Sequence, residues 1–220
     1  MKKKIPSPAI FYFILPALLL LFQGCKREND PPEPEIFLFD QAMYDYCYFK
    51  AGTWWVYRDS ATGMLDTVNV IKSSRGMDTA RHDDGTIWRI SDWFDTKLTS
   101  SHSDFIQNRW GHSSWKNLAF RDRTKPGDFV GEATFFFLPA DIGAVRSGGG
   151  AGIVILTEKA DTLTIHGKRY EHVIVLENSQ SLPDWGSETI TKFAINTGII
   201  QFEIKDSAQV WQLIDYNIIQ

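Results

Sequence analysis

From Ile36 to the end of the chain, apolar, β-branched and aromatic residues come in short runs separated by turn formers, and no long stretch keeps a helical period. The gaps are too short for the crossover helices that a parallel sheet requires. The runs Thr53 to Arg58, Leu65 to Ser73, Thr86 to Phe94, Asp104 to Trp110, Leu118 to Arg121 and Phe129 to Leu138 read as strands. So do Gly152 to Glu158, Asp161 to Ile165, Tyr170 to Glu177, Thr189 to Ile195, Gly198 to Ile204 and Val210 to Ile218. Runs that neighbour each other in sequence are expected to pair antiparallel. His166-Gly167-Lys168 and Asn196-Thr197-Gly198 are the clearest hairpin turns. The predicted fold is all-β, an antiparallel β-sandwich or a partly open up-and-down barrel, with one short helix around Asp40 to Tyr46. An aromatic share of 14% fits pleated surfaces better than helix faces.

What precedes this region is different in kind. Lys2, Lys3 and Lys4 form a basic start, and Ala9 to Phe22 form an apolar block interrupted by Pro16, short for a membrane span. Residues 1–24 therefore read as a signal peptide. Leu21, Phe22, Gln23 and Gly24 before Cys25 resemble the bacterial lipobox, in which a small residue precedes an obligatory cysteine. That resemblance implies cleavage before Cys25 and acylation of its thiol, and at about 0.8 kcal/mol per buried methylene several acyl chains anchor a protein durably. Residues 25–35 follow as a charged, proline-rich tether (Pro31, Pro32, Pro34), with about 3.1 Å per residue in polyproline II form. Residues 36–220 are then one domain.

Removing Lys2, Lys3 and Lys4 with the leader takes the 23 basic residues to 20, against 27 acidic ones. Such a balance argues against nucleic acid as a partner. With Cys25 acylated, Cys47 has no disulfide partner in the chain and reads as a buried thiol.

Chemistry-bearing motifs are sparse. The glycine patch Ser147 to Gly152 lacks the Lys and hydroxyl of a phosphate loop and precedes a strand, so it reads as a mobile hairpin loop. His82, His102, His112, His166 and His172 show no zinc-ligand spacing, and His82-Asp83-Asp84 reads as a solvated turn. No Gly-x-Ser-x-Gly elbow is present. No cofactor, metal or catalytic residue is expected. Trp54 and Trp55 are adjacent, so a strand would send them to opposite faces. With Trp88, Trp93 and Trp110 they are the candidate ligand-facing aromatics, suited to a glycan or an apolar small molecule.

Two local patterns resemble those of Bacteroidetes exported proteins. Asp followed by Ser or Thr and a small or aliphatic residue recurs at Asp59, Asp66, Asp78, Asp161 and Asp206, similar to an O-glycosylation acceptor motif. The resemblance implies Ser60, Thr67, Thr79, Thr162 and Ser207 as candidate glycosylated hydroxyls. The run Tyr48-Phe-Lys-Ala-Gly-Thr-Trp-Trp-Val-Tyr57, with Phe193-Ala-Ile-Asn-Thr-Gly-Ile-Ile-Gln-Phe202 and Trp211-Gln-Leu, resembles stretches of Bacteroidetes-type membrane lipoproteins. That resemblance implies location and a β fold, without an activity to transfer. The expectation is an outer-membrane lipoprotein, facing the cell surface or the periplasm. Its membrane contact would run through lipid on Cys25, and its domain would bind a glycan, an apolar small molecule or an envelope protein. An envelope hydrolase acting on glycan or ester, or a purely structural lipoprotein, are the alternatives.

Overall fold

The computed structural model describes residues 32–101, 108–112, 117–120, 133–138, 140–148, 152–178, 188–205 and 207–220. Among these the fold is all-β, with one seven-residue helix. The first elements are β1 (Glu35–Phe37), α1 (Gln41–Cys47), β2 (Trp54–Asp59), β3 (Leu65–Arg81) and β4 (Ile87–Ser100). They are followed by β5 (Asn108–His112), β6 (Asn117–Phe120), β7 (Ala133–Phe137) and β8 (Val145–Gly148). The last are β9 (Gly152–Ile165), β10 (Lys168–Asn178), β11 (Thr189–Ala194), β12 (Gly198–Ile204) and β13 (Gln209–Asn217).

The described strands form one sheet in the order β7-β6-β5-β4-β3-β2-β13-β12-β11-β10-β9-β8. Apart from the junction of β2 with β13, every neighbour on this path is a neighbour in sequence, the up-and-down order that short turns dictate. The junction itself is antiparallel, with Tyr57 opposite Leu213 and Trp55 opposite Tyr216. The sheet is open rather than a closed barrel: β7 and β8 are its two edges. It is also mixed, because β1 adds to β4 in parallel, with Ile36 opposite Ile90.

The sheet nonetheless curls on itself. The Phe136 ring of edge strand β7 lies 4.7 Å from that of Phe193 on β11, eight strands away along the hydrogen-bonded path. Inward positions on β2, β3 and β4 (Trp55, Tyr57, Val68, Val70, Phe94, Leu98) alternate with more exposed ones, as a half-buried pleat requires. Helix α1 contributes Met43, Tyr46 and Cys47 to the same core. The Tyr46 hydroxyl donates to the His172 carbonyl of β10, and Asn196 N–H donates to the Asp45 carbonyl at 2.8 Å. Cys47 is fully enclosed, as a structural thiol would be.

Two hairpins run beyond their neighbours. β2 pairs with β3 only as far as Asn69, and β5 meets β4 only from Trp93 onward, so the far ends of β3 and β4 form an arm with β1 along one edge. Likewise β9 is continuous through Lys159 and Ala160, where the sequence reads as two strands with a break. The alternation of polar residues in this ribbon reflects exposure of the pleat, not a turn.

Candidate functional site

Where the sheet fails to close, a groove of about 410 Å³ lies between α1, the β7–β8 connection and β9. Its lining is Asp40, Ala42, Leu138, Ala140, Asp141 and Lys159. The lining comes from three segments. Asp40 is the N-cap of α1 and Ala42 its second residue, Leu138 follows β7, Ala140 and Asp141 precede the turn into β8, and Lys159 is mid-β9. The Lys159 ammonium donates to the Ala140 carbonyl, tying the ribbon to the seam. Chemically this is a small apolar floor under two exposed carboxylates and one ammonium, which suits a small molecule or chain segment carrying a cationic or hydrogen-bond-donating group.

The candidate aromatics do not gather at this groove. Trp55 is fully buried, its Nε1 donating to the Thr197 carbonyl at 2.7 Å, and its ring meets Phe49 edge-on at 5.1 Å. Adjacent Trp54 is half-buried on the opposite face, as the pleat demands. Trp93 is half-buried against Gly76, and Trp88 stands on the arm with the Arg89 guanidinium 4.7 Å from its ring centre. Trp110 pairs through its backbone with Asp95. Trp55 is thus a core residue, and the remaining four occupy separate positions.

The Asp-Ser and Asp-Thr pairs divide in two. At the β2–β3 turn Asp59 is buried and accepts from Ala61 N, Thr62 N, Thr62 Oγ1 at 2.6 Å and Val210 N. Burial pushes its carboxyl up, but these hydrogen bonds outweigh burial and hold it below the usual carboxylate range. Asp66 is likewise buried, accepting from Ser100 Oγ at 2.8 Å and Ser101 N at 3.0 Å. In both, the aspartate is explained by turn and cross-strand bonding. The hydroxyl residues face out: Ser60, Thr79, Thr162 and Ser207 are exposed, and Thr67 is half-buried. Cys25, His102 and Asp206 lie outside the described residues.

His82-Asp83-Asp84 is an exposed turn, in which Asp84 Oδ1 accepts from Thr86 N at 2.8 Å and is pulled below its ordinary pKa by that bond. Among the described residues, no three His, Cys, Asp or Glu side chains form a metal-binding group. The glycine patch is part of a hairpin: Gly148 ends β8 opposite Gly152 of β9, and residues 149–151 lie outside the described set.

The stretches Tyr48 to Tyr57 and Phe193 to Phe202 are neighbours in space. Trp55 bonds to Thr197, and the Tyr57 hydroxyl donates to the Ile199 carbonyl at 2.9 Å, joining positions 142 residues apart. No family model matches the chain, and no curated protein or solved structure matches it significantly.

Proposed function

We propose that this chain is a lipid-anchored protein of the bacterial envelope whose β-domain binds a partner without transforming it. The observation that carries the binding half is the seam groove, which has the size of a small-ligand site and mixes an apolar floor with Asp40, Asp141 and Lys159. The anchoring half rests on the basic start, apolar block and Cys25 of the sequence. Glycan, apolar small molecule and envelope protein are the candidate partners.

The envelope-hydrolase alternative draws on the same groove, since two carboxylates line it. Both are exposed, however, and an apolar floor beneath a few polar groups is the usual form of a binding groove. Binding is therefore the preferred reading. O-glycosylation at one or more of Ser60, Thr67, Thr79, Thr162 and Ser207 is proposed alongside it, supported by the outward placement of these hydroxyls.

Palmitate labelling of the full-length chain in a Bacteroidetes host, with protease treatment of intact cells, tests the address. Label that disappears in Cys25→Ala together with cleavage of the wild type would establish a surface lipoprotein, and label with protease resistance would put the domain inside the envelope. Absence of label would refute the anchor. An intact mass equal to polypeptide plus lipid would refute glycosylation. For the groove, Ala140→Trp should abolish retention on whatever glycan or apolar ligand a screen recovers, and undiminished retention would move the site elsewhere.

A further inference from the structure

The face of β4 that carries Phe94 combines the apolar Ile90 and Leu98 with Asp92 and Thr96, and only one end of it is covered. Near the body, Phe39, Tyr44 and Tyr48 pack around the Phe94 ring at 5.3 to 5.9 Å, and Asp92 accepts from Tyr44 Oη and Phe39 N. Beyond Asp92 the register puts Met77 opposite Asp92, and sets Thr79, Ile90 and Ile36 side by side in the next row. Trp88 lies two residues further along β4, where the pairing with β3 slips between Ala80 and Arg81, and Leu38 lies just past β1. This outer stretch is uncovered: Met77 is 64% exposed, Ile36 63%, Leu38 53% and Trp88 36%. Apolar side chains gathered at one end of the sheet, rather than scattered singly, mark a contact surface.

Its place along the chain identifies the occupant. Ile36 is the first residue after the tether that begins at Cys25, and ten residues in polyproline II form reach about 30 Å at most. We infer that the exposed inner face of the β1–β3–β4 arm lies on the phospholipid surface into which the acyl chains of Cys25 insert. The inference rests on the anchoring reading above. A tether this short holds the patch at an effective concentration in the millimolar range near the bilayer, so a contact of low intrinsic affinity suffices. Trp88, flanked by Arg89 and with the His82 ring 6.1 Å away, has the aromatic and polar character of residues that sit at headgroup level. Among the described residues β1 pairs with β4 in the row that holds Ile36 and Ile90, which puts the first strand after the tether beside the patch. The bilayer would thus hold the domain in one orientation.

The test uses the processed, full-length protein in vesicles of phosphatidylethanolamine and phosphatidylglycerol, with a nitroxide at Met77→Cys or Ile36→Cys and a control at Thr162→Cys. Cys47 is fully buried and is left in place. Intact mass first reads the lipid on Cys25. With lipid present, labels at 77 and 36 should be severalfold more accessible to oxygen than to a water-soluble nickel chelate, relative to the label at 162. Equal accessibility at all three positions overturns the patch and leaves the anchor standing. Shielding from both reagents with spin–spin broadening means that a second copy covers the face, and also overturns it. A Cys25 without lipid overturns the anchor and the patch together.

Discussion

Gly76 on β3 lies under the indole of Trp93 on β4, its cross-strand partner, so closely that a Cβ built on the glycine would stand 3.1 Å from the ring. A side chain at 76 must displace the indole or bend the arm, and overpacking of this kind costs about 1 to 3 kcal/mol. Gly76→Val should therefore lower the denaturant midpoint and shift tryptophan emission. A variant with wild-type emission and midpoint would show that the indole is free to move.

Asp59 closes the β2–β3 turn and reaches Val210 on β13, so it fastens the junction between the early and late halves of the sheet. Asp59→Ala should destabilise by about 1 to 3 kcal/mol, because the donors it leaves are partly buried. Its carboxyl is held below its unfolded value by the bonds from Thr62, Ala61 and Val210. The stability it contributes is complete above about pH 4, the unfolded carboxylate range, and is lost as pH falls through the lower folded value. Urea melts at pH 7 and near pH 3 should show a smaller difference between wild type and Asp59→Ala at the lower pH.

Three phenols resist ionisation. Burial pushes Tyr44, Tyr46 and Tyr170 up to about 12, reinforced at Tyr44 by the bond to Asp92, at Tyr46 by Cys47 and Asp45, and at Tyr170 by Tyr216. Because the folded values lie above the unfolded value of about 10, these groups favour the fold fully below that pH and cease to do so as pH rises through 12. Phenolate absorbance at pH 11 should thus fall short of that of the unfolded chain and rise to it on adding denaturant. Tyr46→Phe should remove one protected phenol and cost about 1 kcal/mol by leaving the His172 carbonyl without that donor.

The open seam should show in hydrogen exchange. β12 is flanked by β11 and β13 and buried from Gly198 to Phe202, so its amides should exchange only on global unfolding. β8, an edge of four residues, should exchange orders of magnitude faster. Comparable protection of the two strands would mean that the sheet closes in solution.

How much of this could be read from the residues varies with the range of the interaction. The turn at His166 and Gly167 was legible because both need positive φ, 49° and 76°, and the turn at Asn196 because asparagine tolerates its φ of 57°. Strand extents were less so. Arg75, Gly76 and Asp78 interrupt the apolar pattern of β3, which runs on to Arg81 because β4 pairs with it and not because its side chains are buried. β8 was hidden in a glycine patch and β1 at the end of the tether, since both exist only through a partner strand. The groove left no trace in sequence: its six lining residues come from three distant segments, and no local spacing links Asp40 to Asp141 or Lys159.

The pairing of β2 with β13 also fixes an order of events. The first strand of the body waits for the last, so Trp55 and Tyr57 lack their bonds to Thr197 and Ile199 until nearly all of the chain is available. A chain truncated before β13 keeps the backbone of β2 as a bare edge. Folding is then governed by a long-range closure, slow by nature, and a nascent fragment is exposed to edge-to-edge association until the closing strand arrives.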